Sequence, residues 1–455
     1  DIGYFRQLKN ASLAKSPTPH IDSLAKEGVA LTQFYTAAPV CTPSRVALMT
    51  GKKPESAGLV GNAHSKAGLK AEWTMASYFK SLGYRTALVG KWHLGESPEY
   101  HPNRKGFDDF FGHISGVVDN YSYVYRWPKH VSRNHRFDLQ ENGVLREDLQ
   151  IKGKPVHLAE RLMAKANEYI RDSSQPLFMY YAINQPHYPV QPLVAPSYNE
   201  GATGDEKADA YYHAFVKTID HMVGRLLSDL AAAGKLDNTL IVFQSDHGHS
   251  FESRNWEGVD SGKEKSRQVF RADHNYSYRG GKFSTFEGGI RVPAMIRFPN
   301  TPLFSGYPRN VVRRALAVNI DWLPTLAELV TGKGLPIEYE AEGVDLSSHF
   351  LAGDAVKVRD HYFWHHFQRG FTYRWNNFKL LYFPNDSGSS DYLAKNYLPG
   401  YYLFNLKENP QEDIAQDLKS VKPDIFEQMR HEAVALFRIS CLKHRNLSCS
   451  DQDLL

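Results

Sequence analysis

Apolar and polar positions along the chain repeat one order three times: helix, apolar strand, polar turn. Through 207–233, Phe215, Ile219, Met222, Val223, Leu226 and Leu230 recur at helical spacing, Gly234 supplies a stop and Asp237-Asn238 a turn. The run TLIVFQ that follows is continuous and apolar, the pattern of a strand buried on both faces, and it ends at Ser245-Asp246-His247-Gly248. Upstream, a helix over 74–82 leads through TALVG to Lys91-Trp92-His93, and a helix over 158–171 leads through PLFMYYAIN to Gln185-Pro186-His187. This alternation predicts an α/β fold, a large, mixed and mostly parallel sheet flanked by helices. Ligands of such sheets bind beyond the carboxyl ends of the strands. The three polar turns are therefore expected to converge.

The C-terminal part has a different texture. Asp321 can cap a helix whose first turn suits Pro324. From about His361 the chain becomes aromatic and strand-like (HYFWHHF, FTYRW, FKLLYF, YYLFNL) and closes with a helix over 424–439. We expect a large domain over 1–350, with its first sheet strand upstream of Asp1, and a smaller α+β subdomain over 351–455.

At 455 residues and 42% hydrophobic, the chain can bury a sizeable core, which excludes disordered, collagenous and small disulfide-framed proteins. Its 54 basic residues against 50 acidic ones leave +4, too little for a nucleic-acid footprint unless clustered. No apolar run approaches the roughly 20 residues of a membrane span. The opening DIGYF has neither an initiator Met nor a signal segment, and reads as a processed or truncated chain. Cys441 and Cys449 can close a loop, which suggests an oxidising compartment, and Cys41 is left over. Asn-X-Ser triplets at Asn10, Asn120, Asn275, Asn385 and Asn446 fit an exported protein but are frequent by chance.

The sharpest string runs from Cys41 to Gly51, CTPSRVALMTG. Thr42 suits an N-cap, Pro43 the first helical position and Gly51 the stop, which places Cys41 at a helix N-terminus. Free N–H groups there favour an anion, and Arg45 adds a fork of donors suited to sulfate or phosphate. An inert buried cysteine would leave Arg45 unexplained.

This string resembles the C-x-P-S-R signature of type I sulfatases, in which the Cys is oxidised to formylglycine. The resemblance spans nearly the whole chain. Asp1-Ile2-Gly3-Tyr4 is similar to the end of the family's Asp-Asp-x-Gly-Tyr opening, and Gly90-Lys91-Trp92-His93-Leu94-Gly95 to its second signature. Gly281-Lys282 with 287–293 (EGGIRVP) resembles its lysine motif, and 402–412 (YLFNLKENPQE) its Y-D-L-x-x-D-P-x-E element. The family pattern has two adjacent acidic residues where this chain begins with one.

The resemblance implies an alkaline-phosphatase-like fold and sulfate-ester hydrolysis. The implied metal ligands are Asp1, Asp246, His247 and an oxygen of modified Cys41, with one acidic residue upstream. They would hold Ca2+ or Mg2+, although His247 stands where many relatives have Asn and is a softer ligand. The implied sulfate contacts are Arg45, Lys91, His93, His187 and Lys282. Asp246 would assist the hydrated aldehyde as base, His187 with Lys282 would protonate the leaving alcohol, and His93 would accept the proton when the aldehyde re-forms. Lys91 and His93 should point the same way along an extended segment. His249 reads as a loop histidine. Over 262–282, six basic residues face two acidic ones, a candidate lid over an anionic substrate.

The substrate is expected to be a sulfated oligo- or polysaccharide. The stretch 99–146 reads as a long irregular insertion rich in aromatic, Arg and His residues, suited to stacking on sugars and binding further sulfates. Tyr121, Trp127, Arg271, Arg279 and His365 are the candidate contacts. The other expected partner is a formylglycine-generating enzyme during maturation, and the expected location is periplasmic, secreted or lysosomal. The alternatives are an arylsulfatase of small substrates, a phosphatase or phosphonate hydrolase of the same fold, and a non-catalytic glycan binder.

Overall fold

A computed structural model describes residues 2–8, 17–125, 136–150, 153–197, 199–201, 204–250, 278–365, 370–384 and 399–444. A five-stranded sheet runs in the order Val144–Leu145, Gln140–Glu141, Asp109–His113, Arg85–Lys91, Leu177–Ala182. Its last three strands are parallel, with Lys91 opposite His113 and Gly90 opposite Ala182. Gly90 has φ +115°, and a Cβ there would lie 2.1 Å from the Ala182 carbonyl oxygen, so only glycine fits. A four-stranded sheet runs Ile241–Gln244, Ala294–Arg297, Gly28–Leu31, Val311–Arg313. Ala294–Arg297 is antiparallel to both neighbours.

Helix Leu158–Asp172 begins where the His157 ring accepts from Ala159 N and Glu160 reaches back to His157 N. Leu158, Leu162, Met163, Ala166 and Tyr169 form one face, three or four residues apart, and pack with Ala87, Val89 and Phe111 of the sheet. Helix Gly204–Ala232 adds Met222 to that core. On the other side, Met75–Ser81 and Trp322–Thr331 bring Met75, Phe79, Trp322, Leu323 and Ala327 into a larger core with Phe34, Trp92 and Phe107. Each fully buried large apolar side chain contributes about 1.5–3 kcal/mol.

Among the described residues the two sheets end at Leu177–Ala182 and Ile241–Gln244, which line one cavity of about 1630 Å3. Both are apolar runs of the fully buried type, yet their residues are almost all half-exposed. Burial of TLIVFQ on both faces is thus not found among the described residues.

The C-terminal part is an antiparallel meander of His361–His365, Phe371–Trp375, Phe378–Phe383 and Gly400–Asn405. Helix Pro423–Lys443 covers one face through Met429, Ala433 and Phe437, and Tyr362 and Trp364 join Tyr35, Ile290 and Val318 of the larger part. Cys441 is disulfide-bonded, while Cys449 lies outside the described residues. Asn120 is fully buried, closed to glycosylation in the folded chain. The other four sequons lie outside the described residues.

Two local expectations change. Thr42 is not the cap. The helix is Cys41–Thr50 behind an extended Val40, and Thr42 Oγ1 instead donates to the His93 carbonyl (2.7 Å) and accepts from Ala63 N (3.0 Å). The stretch 99–146 is not simply an insertion, because Asp109–His113 is a strand inside the parallel sheet.

Candidate active site

Cys41 is the first residue of its helix and is 2% exposed. Pro43 costs nothing in the first turn, whose N–H groups have no intrahelical acceptor, and Gly51 ends the helix at φ +66°. Lys91, the last residue of its strand, donates to Cys41 Sγ at 3.4 Å, and His247 Nε2 lies 3.2 Å from the same sulfur. Burial would raise the thiol pKa, but the charges of Lys91, His247 and Lys282 outweigh it, and His187 and His93 stand close enough for their own pKa values to feel the sulfur, so the thiol pKa is held well below the ordinary value. This is an anion site with its anion supplied by the chain.

Arg45 points back under the sulfur. Its Nε and Nη2 each lie 3.0 Å from Asp246 Oδ2, and its Nη1 donates to the Lys91 carbonyl (2.8 Å) and Tyr180 OH (3.2 Å). Burial raises the Asp246 pKa, but His247 and Arg45 outweigh it and bring the carboxyl down to about 2. Asp246 keeps 28% of its side chain exposed, on the wall of the cavity. His247 Nδ1 faces the Gly248 carbonyl at 2.8 Å, and although burial lowers its pKa, Asp246 and the Cys41 sulfur outweigh it and raise it.

His93 and His187 are both partly buried and held at about 4, first by burial and then by neighbouring cations, Lys91 in each case. His187 Nδ1 faces the Tyr188 carbonyl oxygen at 2.8 Å. The extended geometry expected to align Lys91 with His93 is absent: the strand ends at Lys91, and His93 reaches the sulfur from a left-handed backbone at φ +57°. Lys282 comes from a separate loop, its ammonium 5.5 Å from the Tyr188 ring centre and 5.0 Å from that of Phe283.

The structure therefore brings together Cys41, Arg45, Lys91, His93, His187, Asp246, His247 and Lys282. Asp1, Trp127 and Arg271 lie outside the described residues, as does 262–277 of the candidate lid. Three candidate sugar contacts do not line the cavity. Tyr121 meets the His157 ring edge-on, His365 stacks on Phe437 in the C-terminal core, and Arg279 donates to the Glu412 carbonyl. Two residues were not anticipated. Tyr180 meets Arg45, and His249 is buried against Tyr212 while its carbonyl accepts from Lys282 N at 2.5 Å. A tyrosine inside an apolar strand carries no sequence signal for such a role.

The sulfatase family model matches residues 6–332. Arylsulfatase A of Homo sapiens is 30% identical, over 87% of this chain and 75% of that protein. Steryl-sulfatase of Rattus norvegicus is 31% identical, over 77% and 68%. Among solved structures, Ps i-CgsB in complex with k-i-k-neocarrahexaose superimposes at TM-score 0.73 with 25% identity, covering 96% of this chain and 90% of that one. A phosphonate monoester hydrolase of Agrobacterium radiobacter shares the fold at TM-score 0.61 and 18% identity, over 97% and 94%. The chain belongs to the sulfatase family, and with it to the sulfuric ester hydrolases of alkaline-phosphatase-like fold.

Proposed function

We propose that the protein removes sulfate from a sulfated carbohydrate, using formylglycine formed from Cys41 and one divalent cation. The observation that carries this reading is the buried Cys41 sulfur ringed by Lys91, His93, His187 and His247, with Lys282 close enough to act on its charge. Sγ marks where the reacting oxygen of the modified residue would lie. A formylglycine hydrate supplies two hydroxyls, one to take the sulfuryl group and one to release it, which neither Ser nor Cys provides. At 2% exposure, Cys41 is closed to a formylglycine-generating enzyme once the chain has folded, so modification precedes folding.

Cys41, Asp246 and His247 each place a ligand atom within 4.8 Å of the others. With Asp246 ionised and Nε2 of His247 deprotonated, the donors fit a divalent cation. Ca2+ or Mg2+ is the reading that the carboxylate supports, with Asp1 and a further acidic residue completing the set. When bound, the ion supplies charge neutralisation and acidifies the nucleophilic oxygen. Arg45 orients Asp246, Lys91 and Lys282 hold the sulfuryl oxygens, His187 carries a proton to the leaving oxygen, and His93 receives one from the modified residue. The ends of the two sheets at Leu177–Ala182 and Ile241–Gln244, among the described residues, support the expectation that a further strand, bearing the missing acidic ligand, lies between them.

A carbohydrate substrate is supported by two neighbours of the same fold. One is titled as a complex with neocarrahexaose. The other, BT4656, is titled as a complex with D-glucosamine-2-N,6-O-disulfate, at 18% identity and TM-score 0.66. Export to the periplasm, the medium or a lysosome is supported by the disulfide at Cys441. The mass of the tryptic peptide containing Cys41 tests the modification. Kinetics test the substrate: a simple aryl sulfate with a higher kcat/KM than every sulfated oligosaccharide in a broad panel overturns the carbohydrate assignment.

A further inference from the structure

Lys282 sits on neither a strand nor a helix, so its position needs another cause. The loop that carries it is folded tightly on itself. Gly288 N donates to the Arg279 carbonyl (2.6 Å), and a Cβ on Gly289 would lie 1.8 Å from the Ser284 carbonyl oxygen. Lys282 N donates to the His249 carbonyl and Phe283 N to the Pro39 carbonyl (2.8 Å). The loop is thus pinned to the turn bearing Asp246 and to the approach to Cys41. Both of its ends are held from the C-terminal part. Glu412 accepts from Arg279 Nη1 with its carbonyl (3.0 Å) and from Glu287 N with its carboxylate (2.6 Å).

That clamp brings two carboxylates together in full burial. Lys379, in the strand Phe378–Phe383, lies between them, 2.9 Å from Glu287 Oε1 and 2.8 Å from Glu412 Oε1, with all three side chains at 0% exposure. Without the ammonium the carboxylates would repel, and the Glu412 contacts at both ends of the loop would loosen together. We propose that Lys379 and Glu412 are positioning residues, and that through the loop 279–287 they set the place of Lys282 beside the sulfate. This makes the C-terminal sheet part of the catalytic device. The proposal rests on the reading of Lys282 as a sulfate contact.

The test is a double-mutant cycle on the formylglycine-bearing enzyme, reading kcat, KM and Tm for Lys379→Met, Lys282→Ala and the pair. Acting through Lys282, Lys379→Met should lower kcat/KM about 30-fold in the parent, chiefly through KM, and less than about threefold in the Lys282→Ala background. An equal loss in both backgrounds means a general structural role and overturns the proposal. So does a folded Lys379→Met enzyme with parental kinetics. A Lys282→Ala enzyme as active as the parent overturns the reading of Lys282 together with the proposal. If Lys379→Met does not fold, Glu412→Gln takes its place in the cycle, because it keeps an acceptor for Glu287 N but loses the charge. The same losses in the two backgrounds then support or overturn the proposal.

Discussion

The protein buries two clusters of charge, and they are built on opposite plans. Around Lys379, each charged side chain has a side-chain partner: Lys379 and Arg291 contact Glu287, Lys379 also contacts Glu412, whose pKa burial pushes up to about 7, and Arg374 is held by Tyr35 and Gln33. Around Cys41, Arg45, Lys91 and Lys282 face one carboxylate among the described residues, Asp246, and Arg45 takes it. Burial lowers the Lys91 pKa and the Cys41 charge restores part of it. The first cluster satisfies itself and fixes architecture. The second gathers its cations around one sulfur, where the proposed sulfate contacts lie. Breaking the contrast should therefore stop turnover at one cluster and disturb geometry at the other.

The largest effect is expected at the sulfur. Cys41→Ala should lower turnover more than about 1000-fold, since the nucleophile is gone, while Tm stays within a few degrees because Ala is a good residue inside a helix. Next comes Arg45→Lys, which keeps the charge and loses the fork. One ammonium cannot serve Asp246, the Lys91 carbonyl and Tyr180 together, so kcat/KM should fall about 100-fold, or ~3 kcal/mol. Retained activity would mean that Asp246 is oriented by something other than Arg45.

The contrast also sets the parts of the molecule that sequence makes legible. Cys41, Arg45, Lys91 and Asp246 stand out because helix starts and strand ends are local, whereas His187 and Lys282 are carried by the resemblance to the family. The parallel order of Arg85–Lys91 and Leu177–Ala182 followed from the alternation of elements. Asp109–His113 was missed because DFFGH is too short and too polar at its ends to stand out from the loop around it. Asn142-Gly143, at φ +50° and +85°, turns the hairpin between Gln140–Glu141 and Val144–Leu145. That signal was available in the sequence. The Lys379 cluster was illegible for a different reason. Its members come from residues 35, 287, 291, 374, 379 and 412, and no local pattern says that those segments meet. The same gap explains Arg279 and His365, whose residue types suited a sugar but whose partners are Glu412 and Phe437.

The site histidines and a buried carboxyl outside both clusters predict opposite dependence of stability on pH. His187 is held at about 4 in the folded protein against 6.5 unfolded, so between those values the unfolded chain binds more protons and stability falls as pH falls. The whole shift corresponds to about 3 kcal/mol lost by pH 4. In the unmodified Cys41 form, His187→Gln should flatten the loss of denaturant midpoint between pH 6.5 and 4. His93, with the same shift, accounts for part of what is left. A midpoint slope unchanged by His187→Gln would show that His187 titrates normally and that the site is less dry than its geometry implies.

The smallest expected effect isolates what matching contributes. Glu55 is a buried carboxyl away from both clusters. Its pKa is pushed up to about 7, first by burial, with its own backbone hydrogen bond and Lys53 opposing and Glu342 reinforcing. The folded state therefore holds the Glu55 proton more tightly than the unfolded chain, whose pKa is 4.5. Stability from this group is present below 4.5 and falls as pH rises toward 7, the reverse of His187. By pH 6 the loss is about 2 kcal/mol. Glu55→Gln keeps the shape and removes the ionisation, so the variant should match the parent near pH 4.5 and exceed it by that margin at pH 6, with kcat/KM unchanged. Glu287, equally buried but matched by Lys379 and Arg291, is instead brought down to about 2, so Glu287→Gln should lose stability over the same range. If both variants shift the midpoint in the same direction, the matched and unmatched carboxyls are not distinct, and burial rather than pairing decides the charge of each.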